Sequence, residues 1–515
     1  MFHQIAALVG AFLVSVIITP IFRKFAIRVG LVDRPDPTRK LHRDAIALSG
    51  GVAVFVSCAV AAALSLLCVQ QFRAAVMSNP LPVAGLAVSS LGMVLLGLVD
   101  DRYNLRGRQK LFGQLLLSST LVVSGFQFNA IRIVGLDIDL GILAIPFSIG
   151  WILLTVNALN LIDGADGLCS TVGWIASAGI AAMASLSGHT VEASIAAGLA
   201  GALLGFLVYN FPPAKIFLGD AGSMLIGLLL GALAMRTSLK EATAVSLFVP
   251  ITILSIPLFD SSIAILRRKL TGRSIFSTDR GHLHHSLLRH GLSNVGLVFV
   301  VSGLCAIVAG GAILGVMLRN DAISVLAMAF ALGGLVVSGA FGHAELKLLV
   351  SKVVSFSGSL VTPMRRDQPS AHQRIVHLQG SRGWNSIWEA LIEFAENHDL
   401  CKVCLDLNVP WLHEGFHANW HRSKMPDVSE QWVVKLPVKV NGRSLGRLEV
   451  YGSHRGSESL ASIAYLTELM ESLQPEILRL LSDGHLASAE AERLAPITQF
   501  ALPNHSIGNG RETMR

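Results

Sequence analysis

Charge is scarce in this sequence. Only 15% of its 515 residues are Asp, Glu, Lys or Arg, while 52% are hydrophobic and the mean hydropathy is +0.58. Soluble domains typically carry about 25% charged residues, so a soluble globular protein is excluded for most of the chain. An α-helical polytopic membrane protein is the expectation. Cysteine is scarce too. Of six, Cys58, Cys68, Cys169 and Cys305 fall in apolar runs as packing thiols, which excludes a disulfide framework. RRM, zinc-finger-array and helix-turn-helix patterns are missing, so the net charge of +7 does not imply a nucleic-acid partner. The first apolar run has neither a basic leader nor a small-residue cleavage site, and it reads as a retained span.

What the chain does have is long apolar runs. A span needs about 20 apolar residues, and eleven segments qualify: 4–22, 48–69, 81–99, 111–126, 140–159, 169–187, 193–211, 221–236, 243–266, 294–318 and 322–342. The fourth is the shortest. Loops after the odd-numbered spans hold eighteen Lys and Arg, from Arg23 to Arg289, against five in the loops on the other side (Arg73, Arg132, Arg236, Lys240, Arg319). The positive-inside rule puts the odd loops and the C-terminal domain in the cytoplasm. On the outer side, IRIVGLDIDLG (131–141) alternates around Gly135 and predicts a small hairpin.

All five cytoplasmic loops are unusual. They read DRPDPTRKLH (33–42), DDRYNLRGRQK (100–110), NALNLIDGADGL (157–168), NFPPAKIFLGDAGS (210–223) and DRGHLHHSLLRHG (279–291). Singly, each has a plain structural reading: a carboxylate at a span end caps a helix, a basic loop sets topology, GDAGS makes a turn. Together they gather acids, cations and imidazoles on one membrane face. The adjacent pair Asp100 and Asp101 repels itself unless a cation or a proton offsets it.

Such a set suits phosphoryl transfer between two anions. Two phosphorylated reactants repel, so catalysis needs a divalent cation, positive donors and tight positioning. Mg²⁺ takes one or two carboxylates and leaves its other positions to water and phosphate. Asp220 and the Asn/Asp-rich third loop supply oxygen ligands, while the fifth-loop His and Arg and a Lys of the first or second loop neutralise charge. A transporter with acids carrying ions or protons is the alternative from another class. It would place acids near mid-membrane and show repeats, whereas these acids sit at span ends and no repeat is evident.

DD (100–101), NxxNxxDGxDGL (157–168), NFPPAKIFLGDAGS (210–223) and HLHH (282–285), in that order, resemble the polyprenyl-phosphate N-acetylhexosamine-1-phosphate transferases over about residues 1–342. HxHH with RKLH is more like the branch that uses UDP-GlcNAc. The branch using UDP-MurNAc-pentapeptide typically has three contiguous His, a run that Leu283 interrupts here. The resemblance implies a UDP-N-acetylhexosamine donor, undecaprenyl phosphate as acceptor in the lipid bilayer, UMP as product, and Mg²⁺ with Mn²⁺ as a substitute. It implies Asp220 as metal ligand with Asn160 as second ligand, Asp100 and Asp101 to orient or deprotonate the lipid phosphate, and Asp163 near the nucleotide. Asp166, Asn210 and Phe217 would hold uridine, Phe217 by stacking. His282, His284 and His285 would grip the pyrophosphate, with Lys40 and Lys110 as further phosphate contacts. One departure is AIALSGG (45–51), which lacks the prolines the family often has before the Gly pair. A homodimer is left open.

After the membrane domain (1–342) comes a linker (343–372), then a small cytoplasmic α/β domain (373–482) and a tail (483–515) without periodicity, expected to be disordered. The α/β domain is expected to contain a strand at 374–379, a helix at 384–397, a strand at 401–408, a hairpin of 431–440 and 443–452 on Asn441-Gly442, and a helix at 458–482. LPVKVNGRSLGRLEVYG faintly resembles the end of a GAF-type sensory domain. HEGFH (413–417) fits H-E-x-x-H, but Gly415 and the preceding Pro-Trp-Leu argue against the helix that a zinc protease needs. Cys401 and Cys404 upstream complete a zinc-like spacing, yet on a strand an i,i+3 pair points to opposite faces.

Overall fold

The computed structural model describes residues 2–33, 45–133, 136–237, 239–240, 244–246, 248–270, 281–343, 345–347, 349–350, 384–398, 400–409, 414–422, 426–427, 430–440, 443–453 and 459–481. Among them, eight helices are long and apolar enough to cross a membrane. These include α1 (Phe2–Val29), α2 (Gly50–Cys68), α4 (Pro80–Tyr103), α6 (Ala144–Ile162), α7 (Leu168–Leu186), α8 (Thr190–Asn210), α9 (Gly219–Thr237) and α13 (Asn294–Leu318). A short helix, α3 (Gln70–Ser78), lies between α2 and α4.

The other three expected spans are helical but do not reach that length. Helices α5 (Gly107–Val123) and α14 (Asp321–Val337) have 17 residues each. Segment 243–266 is broken into α10 (Phe248–Ile253) and α11 (Ser255–Leu270). The cause is Pro257: its ring clashes with the carbonyl four residues back, at Ile253, where α10 stops.

Helix α9 is the axis of the bundle. Every residue from Ala221 to Met235 is buried, with α4 and α6 on two sides and α2 and α7 completing the ring. Small residues permit this. A side chain at Gly227 or Gly231 would strike Val156 and Thr155 of α6, and one at Gly51 of α2 would strike the backbone of Gly222. In lipid, helix association rests on such close approach rather than on hydrophobic burial. The Trp151 indole N–H donates to the Gly231 carbonyl at 3.0 Å and fixes the α6–α9 register. Helix α1 lies outside. Ile5, Val9, Leu13, Ile17 and Ile21, four residues apart, form an exposed stripe suited to acyl chains, while Ser15 on the other face donates to Ala202 of α8 at 2.8 Å.

Two small sheets close the ends of the bundle. At one end, β1 (Val32–Asp33), β2 (Ile46–Leu48) and β5 (Ile216–Phe217) join the first and fourth loops. At the other, the expected hairpin forms as β3 (Ala130–Ile133) and β4 (Leu136–Asp139), extended by β6 (Leu239–Lys240) and β7 (Ala244–Ser246). The last short helix, α12 (Leu283–Arg289), carries the HLHH stretch.

The C-terminal region contains α15 (Trp384–Asn397) and a four-stranded antiparallel sheet, ordered β10-β11-β8-β9. The strands are β8 (Lys402–Val409), β9 (Glu414–His421), β10 (Gln431–Val440) and β11 (Arg443–Ser453). The helix expected at 458–482 is two, α16 (Ser459–Ser472) and α17 (Gln474–Leu481), interrupted just before Pro475. Most of HEGFH lies on edge strand β9, so the helical zinc-protease geometry does not form. Cys404 of the neighbouring β8 donates its thiol to Asn419 of β9 at 3.3 Å. The strand expected at 374–379, the tail, and nearly all of the linker lie outside the described residues.

Candidate active site

The paired acids end α4. Neighbours on a helix point about 100° apart, so Asp100 and Asp101 face different partners. Asp100 is buried; its Oδ1 accepts the Leu105 N–H at 2.7 Å and its Oδ2 meets the Lys110 Nζ at 2.8 Å. Asp101 crosses to the start of α9, accepting the N–H groups of Asp220 at 2.9 Å and Ala221 at 3.4 Å. It thus caps a neighbouring helix, satisfying donors that a helix leaves open at its start. Gly219, at φ +70°, is the residue this requires, because a side chain there would meet the Asp101 carboxylate.

Lys110, in the first turn of α5, is the hub. Its ammonium lies 2.8 Å from Asp100 Oδ2, 2.9 Å from Asp220 Oδ2 and 3.0 Å from Asn160 Oδ1. Asn160, in the last turn of α6, donates through Nδ2 to Asp220 Oδ1 at 2.6 Å and to Ser223 Oγ at 2.9 Å. Three oxygens from three helices therefore converge on one positive charge. The donor set is all oxygen, the kind a hard cation takes, and here it surrounds the Lys110 ammonium. Among the described residues no three His, Cys, Asp or Glu side chains are grouped to chelate a metal by themselves. A divalent ion here would depend on one or two protein oxygens plus water and ligand phosphate, the habit of Mg²⁺.

The third and fourth loops face each other across the same space. Asp163 caps the end of α6, and Gly167, at φ +70°, starts α7 so close to Pro212 and Asn210 that a side chain would crowd both. Asp166 Oδ2 accepts the Ala214 N–H at 2.9 Å. Asn210 is buried; its Oδ1 accepts the Ser170 hydroxyl at 2.6 Å and its Nδ2 donates to the Ile216 carbonyl at 2.9 Å. Its amide thus holds the turn into β5 together. A cavity of about 940 Å³ opens between these loops, and its lining includes Asp33, Asp100, Asp101, Arg102, Asp163, Asp166, Asn210, Phe217, Asp220 and His285. Burial pushes the Asp163 carboxyl well above the usual carboxylate range, helped by the carboxylates of Asp220, Asp101 and Asp166.

The three histidines take different places. His285 lines the cavity. His284 is buried with its ring against Gly164, where any side chain would strike it. His282 is turned away, its Nδ1 3.0 Å from Asp260 Oδ2. Lys40 lies outside the described residues. Sequence reasoning missed Ser223, which sits one helical turn past Gly219, and Asp260, a single acid inside the apolar run 243–266. That signal was readable, because an ionisable residue inside a span is a functional-site hypothesis by default.

The sequence is similar to those of known proteins. The family model of glycosyl transferase family 4 matches residues 83–238, which include the second, third and fourth loops. A Bacillus subtilis protein named a probable undecaprenyl-phosphate N-acetylglucosaminyl 1-phosphate transferase is 34% identical over 315 residues, 59% of this chain and 85% of the relative. The decaprenyl-phosphate N-acetylglucosaminephosphotransferase of Mycobacterium tuberculosis H37Rv is 34% identical over 361 residues, 65% of this chain and 87% of the relative. The undecaprenyl-phosphate alpha-N-acetylglucosaminyl 1-phosphate transferase of Escherichia coli K12 is 29% identical over 304 residues, 56% of this chain and 77% of the relative.

Proposed function

The chain belongs to glycosyl transferase family 4, and from that premise we propose that it transfers N-acetylglucosamine 1-phosphate from UDP-N-acetylglucosamine to undecaprenyl phosphate, releasing UMP. It would thereby start a cell-envelope polysaccharide on its lipid carrier at the cytoplasmic face of the inner membrane. The excess of Lys and Arg in the loops at the site end supports that orientation. The observation that carries the reading is one shared cavity lined by Asp100, Asp101, Asp163 and Asp220, with the Lys110 ammonium held between Asp100 and Asp220.

In the reaction, an oxygen of the lipid phosphate attacks the β-phosphorus of the nucleotide sugar. The new P–O bond makes the lipid-linked pyrophosphate, and the bond from that phosphorus to the bridging oxygen breaks, so that UMP leaves with the oxygen and its electron pair. One phosphoanhydride replaces another, and the equilibrium constant is expected near unity. A lipid phosphate has its second pKa at about 6 and is mostly ionised at neutral pH, so Asp100 serves to orient rather than as an obligatory base. Asp101 holds the start of α9, and with it Asp220, in place.

Mg²⁺, with Mn²⁺ as substitute, fits Asp220 and Asn160, and when bound it supplies the charge that lets two phosphates approach. Lys110, already between Asp100 and Asp220, shifts its contacts to phosphate oxygen as the substrates enter. His285 donates to the pyrophosphate from the cavity wall, with His284 behind it. Phe217 offers its face to uracil. Asp166 and Asn210 tie the third loop to the fourth beside the place of the uridine, and Lys40 adds positive charge from the first loop.

The test is UMP release by the purified protein supplied with UDP-N-acetylglucosamine, undecaprenyl phosphate and Mg²⁺. The expected result is one UMP per lipid-linked sugar, with the N-acetylglucosamine donor preferred in a nucleotide-sugar panel. A folded protein that releases none, or that moves ions without UMP, overturns the reading.

A further inference from the structure

The histidines of the fifth loop are anchored from behind the cavity. Asp260, in α11, is fully buried, and both of its oxygens are used. Oδ1 accepts the N–H of Leu283, the first residue of α12, at 2.8 Å. Oδ2 lies 3.0 Å from Nδ1 of His282, which is itself buried. A buried carboxylate is costly unless its partners are directed, and here both partners belong to the HLHH stretch.

From Asp260 the arrangement runs towards the cavity. The rings of His282 and His284 lie nearly parallel, 7° apart, with centroids separated by 6.1 Å. The His284 and His285 rings are 4.2 Å apart. His284 rests on Gly164, and both Gly164 and His285 line the cavity. Halfway along α12, Ser286 donates to the Ala340 carbonyl at 2.7 Å and pins the same helix to the end of the bundle.

We infer that Asp260 is a positioning residue for the transfer reaction: it keeps the proton of His282 on Nδ1, fixes that ring, and through Leu283 sets the direction in which α12 presents His284 and His285 to the pyrophosphate. A carboxylate with both oxygens accepting can meet a ring nitrogen only through a proton on that nitrogen. Partners of this kind, behind the groups that touch substrate, fix tautomer and orientation, and their loss typically costs about 10–100-fold in function. The inference rests on the transferase reading above.

The test compares wild type with Asp260→Asn, Asp260→Ala, His282→Ala and the Asp260→Asn/His282→Ala double variant. Asparagine can still accept from Leu283, but its amide offers His282 an N–H and so forces the opposite tautomer. Asp260→Asn is therefore expected to melt within about 3 °C of wild type, while kcat/KM for the nucleotide sugar falls roughly 10–100-fold, mostly in kcat. Adding it to His282→Ala is expected to cost nothing further, because the two residues act as one unit. Full turnover in Asp260→Asn, or additive losses, would overturn the inference.

A readout independent of activity is ¹⁵N NMR of ring-labelled histidine, with His282 assigned by His282→Gln. The wild type is expected to carry its proton on Nδ1, and a wild-type spectrum with Nδ1 bare also overturns the inference, even if the Asp260 variants fail to fold. Absence of UMP release by the wild type would instead refute the transferase reading, while the spectrum continues to test the placement.

Discussion

The two ends of the helical bundle handle charge in opposite ways. At the β3–β4 end, Glu192 at the start of α8 meets Arg236 at the end of α9 at 2.8 Å, and the Arg236 guanidinium also lies over the Phe126 ring. One acid is matched by one base. At the other end of the same two helices, Asp100, Asp101, Asp163, Asp166 and Asp220 line one cavity together with Arg102, and the Lys110 ammonium lies between Asp100 and Asp220. Among the described residues the lining of this cavity carries more acids than bases, and metal and incoming donors are proposed to balance them.

Four substitutions and one truncation bear on that contrast. Asp220→Ala removes the acid shared by Lys110 and Asn160 and is expected to lower UMP release by at least about 100-fold, the loss typical of a preorganised electrostatic group. Lys110→Ala leaves the carboxylates of Asp100 and Asp220 facing each other. Turnover is expected to drop about tenfold or more, with roughly 1–3 kcal/mol of stability lost by chemical denaturation, since removing one partner of a buried charge network is costly. The matched end should behave differently: Glu192→Gln is expected to cost roughly 1–2 kcal/mol in stability and leave turnover within about twofold of wild type. A large loss of turnover there would break the contrast.

Asp163→Asn sharpens the same point through pH. The folded protein holds this carboxyl well above its ordinary range, so ionising it costs stability as pH rises through its folded pKa. That cost disappears at lower pH, where the acid is protonated. The asparagine variant, free of it, is expected to melt about 2–4 °C above wild type at pH 8, with the gap narrowing as pH falls. The smallest effect is expected from truncation after residue 350. Glu345 pairs with buried Arg267 of α11 at 2.6 Å and must stay, but loss of the C-terminal domain beyond it should leave turnover within about twofold in detergent.

Much of this was legible in the sequence, for physical reasons. Apolar runs located the helices because lipid demands length and hydrophobicity together, and the asymmetry of Lys and Arg grouped the odd loops before any contact was visible. The three expected spans that fall short show where the reading is weak. A hydrophobic run does not reveal the break that Pro257 imposes, and α5 and α14 are apolar without being long. Within the site, the resemblance of the loop motifs pointed to Asp100, Asp163 and Asp220, but not to the central place of Lys110, which depends on α5 meeting α4, α6 and α9. Asp260 was readable as a lone acid in an apolar run, but its pairing with His282 was not, because the two meet only in the fold. In the C-terminal region, strand β9 was masked by HEGFH, although Phe416, Ala418 and Trp420 alternate inward at the period of a strand.

The most direct test of the central claim is cation binding, read without turnover. Mn²⁺ is titrated into the purified protein with UMP present and followed by electron paramagnetic resonance. The wild type is expected to take up about one ion in a site that Mg²⁺ competes for, and Asp220→Ala is expected to lose it. Equal binding by the two proteins, with the variant folded, would contradict the account.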